Sequence, residues 1–154
     1  MTLAELIDPR AVIAALKANS KKQALQLLAQ KAAELTGVSE GDILEGLLER
    51  ERLGSTGVGN GIAIPHAKLP GVSRLFGVFA RLERPIDFDS IDDMPVDLIC
   101  MLIAPDGAGA DHLKALARVS RLLRNRACCE KLRGATESDA LYALLLDFEQ
   151  PRAA

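Results

Sequence analysis

Hydrophobic residues recur at two spacings along this chain, one typical of helices and the other of strands. A spacing of three to four residues predicts five amphipathic helices. These helices are expected at Ser20–Gly37, Ser39–Gly54, Asp111–Asn125, Ala127–Arg133 and Thr136–Phe148. Continuous apolar runs of strand length predict three strands, at Ile62–Ile64, Leu75–Leu82 and Val96–Ala104.

The order of these elements predicts the fold class. Helices, then strands, then helices indicate an α/β domain in which helices flank a central mixed β-sheet. Val12–Ala18 is a further apolar stretch, which we interpret as either a first strand or part of a loop. A length of 154 residues suits a single domain. We expect its core to span about residues 3–148, followed by a short tail, Gln150–Ala154, that lacks apolar anchors.

Composition and charge exclude several classes of function. A net charge of -2 and an aromatic content of 3% give neither the basic surface nor the stacking residues of a nucleic-acid-binding protein. No apolar run approaches the roughly 18 residues of a membrane helix, and the N-terminus lacks the basic region of a signal peptide. Three cysteines, with Cys128 and Cys129 adjacent, argue against a disulfide framework. We therefore expect a cytoplasmic protein without membrane insertion.

The two histidines are candidates for chemistry, although each has a simpler interpretation. His66 follows Ile-Pro, where a strand should end because proline donates no backbone hydrogen bond. His112 lies in the first turn of a predicted helix, and helix N-termini favour anions. Considered alone, His66 could merely end a strand, and His112 could simply face solvent.

A glycine-rich segment, Gly54–Gly61, could bring backbone N–H groups close to an anion, or it could be a tight turn. It has neither the Lys-Ser or Lys-Thr of a Walker loop nor the third glycine of a dinucleotide-binding motif. Nucleotide binding is therefore not predicted. The chain also lacks paired zinc-ligand spacings and a Gly-x-Ser-x-Gly nucleophile motif. We predict no metal and no cofactor, and we give a hydrolase little weight.

One long motif carries a family resemblance. Leu48–Lys68 contains Arg-Glu at a helix end, then Gly-Ser-Thr-Gly, then Gly-Ile-Ala-Ile-Pro-His. Further matching segments are Pro85–Asp89, Pro95–Leu98 and Asp111–Leu113. In these motifs the chain resembles enzyme IIA domains of the fructose/mannitol type in the bacterial phosphotransferase system. The resemblance is closest to the nitrogen-regulatory branch, IIA-Ntr, and it covers roughly Leu3 to Phe148.

The resemblance implies a phosphoryl-carrier site. It implies that His66 accepts a phosphoryl group, through Nε2, from an HPr-type phosphocarrier protein, and that His112 and Arg50 flank it. We also expect an apolar rim around His66 that suits a transient encounter. A second set of residues is expected to bind the phosphoryl group or the partner protein: Ser55, Thr56, Gly59, Asn60 and Gly61.

The resemblance leaves several functions open. We favour a carrier that regulates partner proteins through its phosphorylation state, because the sequence ends at Ala154 and we expect no fused IIB or IIC domain. The alternatives are a sugar-system IIA that passes phosphate to a separate IIB, and a binding module whose phosphorylation is vestigial.

Overall fold

The computed structural model describes residues 2–149, which form six helices and one mixed sheet of six strands. The helices are α1 (Leu3–Leu6), α2 (Lys21–Thr36), α3 (Glu40–Arg52), α4 (Ala110–Leu123), α5 (Arg126–Gly134) and α6 (Ser138–Glu149). The strands are β1 (Ile7–Leu16), β2 (Gly57–Gly59), β3 (Ile62–Ala63), β4 (His66–Leu69), β5 (Phe76–Ile86) and β6 (Val96–Pro105). The predicted tail, Gln150–Ala154, lies outside the described residues.

The sheet is centred on β6 and has the order β1-β5-β6-β3-β2. Strand β5 runs parallel to β1 and antiparallel to β6. Strands β3 and β4 both pair in parallel with β6, at successive positions along its length, and β2 lies antiparallel to β3. Both strand orientations occur in one sheet, and helices pack against it. The predicted α/β class with a mixed sheet is confirmed.

The five predicted helices are confirmed as α2 to α6, with end points shifted by up to two residues. Ser20 caps α2, because its hydroxyl accepts a hydrogen bond from the Gln23 backbone N–H at 3.1 Å. The Gln23 side chain reaches back to the Asn19 backbone N–H at 2.7 Å, one residue before the expected capping-box partner. Gly37 ends this helix with a φ of 78°, the left-handed conformation that glycine adopts without strain.

The strand predictions needed three corrections. The stretch predicted at Val12–Ala18 is a strand that begins earlier, because Ile7–Leu16 pairs with β5. Part of the glycine-rich segment, Gly57–Gly59, forms the edge strand β2. His66 begins strand β4 and does not end a strand, since β3 stops at Ala63 and the chain pairs again with β6 from His66 onward. No local propensity signals the short strands β2 and β4, which form by pairing with β3 and β6, respectively.

The core is built on β6, whose apolar residues are buried as their continuous run predicts. Phe79 and Ile99 on the two central strands are fully buried. Among the described residues, no helix is long and apolar enough to cross a membrane.

Helix α3 lies unusually close to strand β4, because the helix presents a glycine there. A Cβ atom on Gly46 would lie 2.6 Å from Leu69 Cδ2 and 3.2 Å from the Ala67 Cβ. Leu69 and Ala67 are both buried, so they have little room to retreat. Gly46 therefore sets the spacing between the helix that carries Arg50 and the strand that carries His66.

We expect Gly46→Val to lower the free energy of unfolding by about 2–3 kcal/mol, because the added side chain overfills the contact with β4. Gly41→Val is the matched control, since a Cβ on Gly41 in the same helix meets only the Ser39 hydroxyl, at 3.8 Å. Urea denaturation measures both variants. Equal loss of stability in the two would show that the α3–β4 spacing does not depend on Gly46.

Candidate active site

An open cavity of about 770 Å³ between α3 and β4 brings together the three residues predicted to perform the chemistry. Arg50 comes from the last turn of α3, His66 from the first position of β4 and His112 from the first turn of α4. Arg50 and His66 are sixteen positions apart in the chain, yet their side chains are hydrogen-bonded.

The His66 imidazole is held at both ring nitrogens. Nδ1 lies 2.9 Å from the Ile64 carbonyl oxygen, and the Arg50 Nε–H donates to Nε2 at 3.2 Å. A guanidinium can only donate, so Nε2 must be the unprotonated nitrogen, and Nδ1 carries the proton that it donates to Ile64. The lone pair of Nε2 therefore points toward the Arg50 guanidinium.

The same surroundings keep His66 neutral. Burial lowers the pKa of His66 below the ordinary 6.5, because desolvation disfavours the imidazolium. The hydrogen bond to Ile64 and the negative charge of Glu51 raise the pKa, whereas the positive charge of Arg50 lowers it. The net effect is an imidazole that is neutral at neutral pH, with its Nε2 electron pair accepting from Arg50.

Arg50 is oriented by its own helix end. Its Nη1 donates to the Gly54 carbonyl oxygen at 3.0 Å, while its Nε is directed at His66. Gly54 follows the helix with a φ of 145°, a conformation that favours glycine. The guanidinium fork therefore lies beside Nε2, where it can interact with an anionic group.

His112 faces His66 across the cavity, with ring centroids 5.5 Å apart and planes inclined by 53°. The residue is 4% exposed, and its Nδ1 is buried without a hydrogen-bond partner among the described residues. A bare lone pair costs less to leave unpaired than an N–H, so we place the His112 proton on Nε2. Burial first, and then the charges of His66 and Lys68, lower the pKa of His112.

The glycine-rich segment does not line this cavity. The Ser55 hydroxyl donates to the Phe88 carbonyl oxygen at 2.6 Å, and both Thr56 donors bind the Glu51 carboxylate. Asn60 and Gly61 border a separate cavity beside Arg133, which donates to the Asn60 carbonyl oxygen at 2.7 Å. The Asn60 backbone N–H, one of the expected phosphate donors, instead binds Asp92 at 2.9 Å. The structure therefore brings Arg50, His66 and His112 together and leaves Ser55, Thr56, Gly59, Asn60 and Gly61 outside the cavity.

The cavity rim combines apolar and charged side chains. Leu53 is 84% exposed at the cavity edge, and Leu113, next to His112, is 66% exposed. Lys68 follows His66 by two residues on β4 and therefore lies on the same side of the strand. Three carboxylates along one side of α3 line the opposite wall: Asp42, Glu45 and Glu49.

Lys68 and Glu51 are the side chains near His66 to which the sequence reasoning assigned no role. Strand alternation from His66 would have indicated Lys68, had His66 been placed within a strand. The contacts of Glu51 with Thr56 and Lys21 arise from tertiary packing, so spacing alone gives no signal of them. Across residues 2–149, no group of three or more His, Cys, Asp or Glu side chains is arranged to hold a metal ion.

A family model and several known proteins point to the same family for this chain. Residues 5–148 match the family model described as phosphoenolpyruvate-dependent sugar phosphotransferase system, EIIA 2. A nitrogen regulatory protein of Bradyrhizobium diazoefficiens is 59% identical over 145 residues, which cover 94% of this chain and 95% of that protein. A fructose-specific EIIA component of Haloferax volcanii is 40% identical over 129 residues, which cover 83% of this chain and 84% of the relative.

A solved structure extends the similarity to the whole fold. The crystal structure of nitrogen regulatory protein IIA-Ntr from Neisseria meningitidis superimposes with a TM-score of 0.88 at 31% identity. The superposition covers 93% of this chain and 98% of the other. The chain therefore belongs to the EIIA 2 family of the phosphoenolpyruvate-dependent sugar phosphotransferase system, as a protein of its nitrogen-regulatory IIA type.

Proposed function

We propose that this protein accepts a phosphoryl group on Nε2 of His66 from a phosphorylated HPr-type carrier, and that it regulates partner proteins in the cytoplasm through its phosphorylation state. The observation that carries the proposal is the His66 imidazole itself, which is neutral, protonated on Nδ1 and unprotonated at Nε2, where its lone pair accepts from Arg50. A histidine nucleophile needs this combination of charge and tautomer.

The transfer step exchanges one N–P bond for another. The lone pair of His66 Nε2 attacks the phosphorus of the donor's phosphohistidine, and the electrons of the breaking N–P bond return to the donor's ring nitrogen. His66 keeps its proton on Nδ1, where Ile64 holds it. Because Arg50 occupies the position in front of Nε2, its guanidinium must move aside onto the phosphoryl oxygens as the donor enters.

The cavity rim suits a transient protein encounter. Leu53 supplies exposed apolar surface at the cavity that holds the reactive nitrogen, Leu113 is exposed next to His112 in the chain, and the carboxylates along α3 supply charge for orientation. After transfer, the phosphoryl group adds up to about two negative charges within this rim. A partner protein that contacts the rim would therefore distinguish the two states.

The proposal is tested by incubating the protein with a phosphorylated HPr-type donor and measuring its mass. We expect one added phosphoryl group that is lost in acid and retained in base, as for a phosphohistidine. An unchanged mass with a donor that phosphorylates another IIA protein would refute the carrier function.

His112 is expected to stabilise the phosphoryl group without accepting it. His112 lines the cavity, and because its Nδ1 is the buried nitrogen, its Nε2–H is the donor available to a phosphoryl oxygen. We expect His112→Ala to be phosphorylated at a rate lower by on the order of 10²-fold, because one donor to the transferring group is lost. Rapid-quench labelling measures this rate, with Lys114→Ala as the control, because Lys114 is exposed in the same helix and does not line the cavity. Unchanged kinetics in His112→Ala would remove His112 from the site.

The pKa of His66 provides a test in the absence of any donor. The pKa of His66 is lowered, because burial and the positive charge of Arg50 both disfavour the protonated ring. The imidazole should therefore titrate with a midpoint below 6.5. Protonation blocks Nε2, so a lowered pKa keeps His66 able to accept phosphate as the pH falls toward that midpoint. NMR titration of the His66 ring measures the midpoint, and Arg50→Ala should raise it. A wild-type midpoint at or above 6.5 would contradict this electrostatic account.

Transfer to a separate IIB protein is a second candidate, favoured by the similarity to a fructose-specific EIIA component. The chemistry at His66 would be the same, and only the acceptor would differ. Passage of labelled phosphate from this protein to a purified fructose-type IIB would favour sugar transport. Retention of the label in the presence of IIB favours the regulatory role.

A further inference from the structure

We infer that Glu51 is a positioning residue that holds both hydrogen bonds of the His66 imidazole in place, so that phosphoryl transfer depends on a side chain that never touches the phosphoryl group. This inference rests on the proposed function of His66. The Glu51 carboxylate is buried and follows Arg50 directly in the chain, but it does not line the open cavity.

Glu51 joins three separate segments of the structure. Its side chain is only 5% exposed. Oε1 accepts from the Thr56 backbone N–H at 3.1 Å and pairs with Lys21 Nζ at 2.8 Å, and Oε2 accepts from the Thr56 hydroxyl at 2.5 Å. Glu51 thus connects the start of α2, the end of α3 and the segment that returns toward the sheet.

The first connection leads to Nε2 of His66. The Glu51 carboxylate holds Thr56 at the far end of the turn after α3 through two hydrogen bonds. The near end is closed by the backbone, since the Gly54 N–H donates to the Glu51 carbonyl oxygen at 3.1 Å. That turn presents the Gly54 carbonyl oxygen to Arg50 Nη1 at 3.0 Å. Arg50 in turn donates to His66 Nε2. The position of the guanidinium therefore depends on a turn that Glu51 closes.

The second connection leads to Nδ1 of His66. The Thr56 carbonyl oxygen accepts from the Ile64 N–H at 3.0 Å, and the Ile64 carbonyl oxygen accepts from Nδ1. Thr56 itself is 4% exposed and is held by Glu51 through two hydrogen bonds. Ile64, whose carbonyl oxygen determines the imidazole tautomer, is therefore hydrogen-bonded directly to Thr56, the residue that Glu51 anchors.

Lys21 makes a carboxylate tolerable at this position. A buried unpaired carboxylate would be costly, and its charge would oppose an incoming phosphoryl group. Lys21 balances that charge from 2.8 Å and also lies 3.7 Å from Asp89. Glu51 can therefore supply two strong acceptor oxygens while Lys21 offsets the charge of its buried carboxylate.

The test compares Glu51→Ala, Thr56→Val and Thr56→Ser with wild type in two measurements. The first is the His66 tautomer in unphosphorylated protein, measured from the ¹⁵N shifts of the imidazole. The second is the rate of phosphorylation at saturating HPr-type donor, together with the donor concentration at half-maximal rate. Thr56→Ser is the matched control because it keeps the hydroxyl that binds Glu51, whereas Thr56→Val removes the hydroxyl at nearly constant volume.

We expect Glu51→Ala and Thr56→Val to lose the preference for the Nδ1–H tautomer. Their rates at saturating donor should fall by on the order of 10-fold to 100-fold, since small displacements of a nucleophile have large kinetic effects. The half-maximal donor concentration should stay near the wild-type value, because the rim is unaltered. Thr56→Ser should behave as wild type in both measurements.

A wild-type tautomer and saturating rate in Glu51→Ala would overturn the inference, and Glu51 would then only support the fold. If Glu51→Ala does not fold, the same two readouts in Thr56→Val decide the question. If wild type accepts no phosphoryl group, the proposed function fails, but the tautomer measurement still tests the positioning role of Glu51.

Discussion

Replacing His66 with alanine is expected to abolish retention of labelled phosphate from a phosphorylated HPr-type donor. The substitution removes the nucleophile, so the loss should be complete and should not be relieved by more donor or longer incubation. The fold should survive, because the half-buried ring contributes only the bonds to Ile64 and Arg50, which cost about 1 kcal/mol each when lost. Autoradiography gives the label, and thermal unfolding confirms the fold.

His112→Ala is the matched control for this experiment, since it removes the other histidine of the same cavity. That variant should still become labelled, although slowly. Full labelling of folded His66→Ala would show that another group accepts the phosphate. Loss of labelling in His112→Ala, with normal labelling of His66→Ala, would show that His112 and not His66 accepts the phosphoryl group.

Arg50→Ala is expected to have the second-largest effect. Its guanidinium lies beside Nε2, the position where negative charge accumulates on the transferring group. Removal of such a donor should lower the rate at saturating donor by on the order of 10²-fold to 10³-fold. The phosphohistidine should also hydrolyse at a different rate, because the group loses its main cation. Stopped-flow or rapid-quench kinetics measure both quantities.

The neighbouring arginine provides the control. Arg52 is in the same helix turn and is exposed, and it does not line the cavity. Arg52→Ala should therefore transfer phosphate at the wild-type rate, and Arg50→Lys should recover only part of the activity because lysine lacks the planar fork. Equal rates for Arg50→Ala and Arg52→Ala, with equal phosphohistidine lifetimes, would remove Arg50 from the mechanism.

The sequence was most informative where local chemistry determines structure. Ser20 and Gly37 mark the ends of α2, and the apolar run of β6 is buried as its continuity predicts. It was least informative where pairing is non-local. Strand β4 consists of four residues, and its existence depends on the distant strand β6, so the residues around His66 gave no strand signal of their own.

The candidate site shows the same division. The motif placed Arg50, His66 and His112 in one site, and the structure has them lining one cavity. The same motif led us to expect that the glycine-rich segment binds the phosphoryl group or the partner protein, and its residues lie outside the cavity of His66. Ser55 and Thr56 instead use their hydroxyls to hold loops together, and Asn60 uses its backbone N–H to bind Asp92. A glycine-rich sequence reports backbone freedom, but it does not specify which cavity the backbone faces.

The central claim is that Nε2 of His66 becomes the phosphorylated atom while Nδ1 keeps its proton. The most direct measurement is NMR of the ¹⁵N-histidine-labelled protein after phosphorylation by an HPr-type donor. We predict phosphorus coupling to Nε2 of His66 alone, with the proton still on Nδ1 beside the Ile64 carbonyl oxygen. Phosphorus coupling to Nδ1 of His66, or to either nitrogen of His112, would contradict the account.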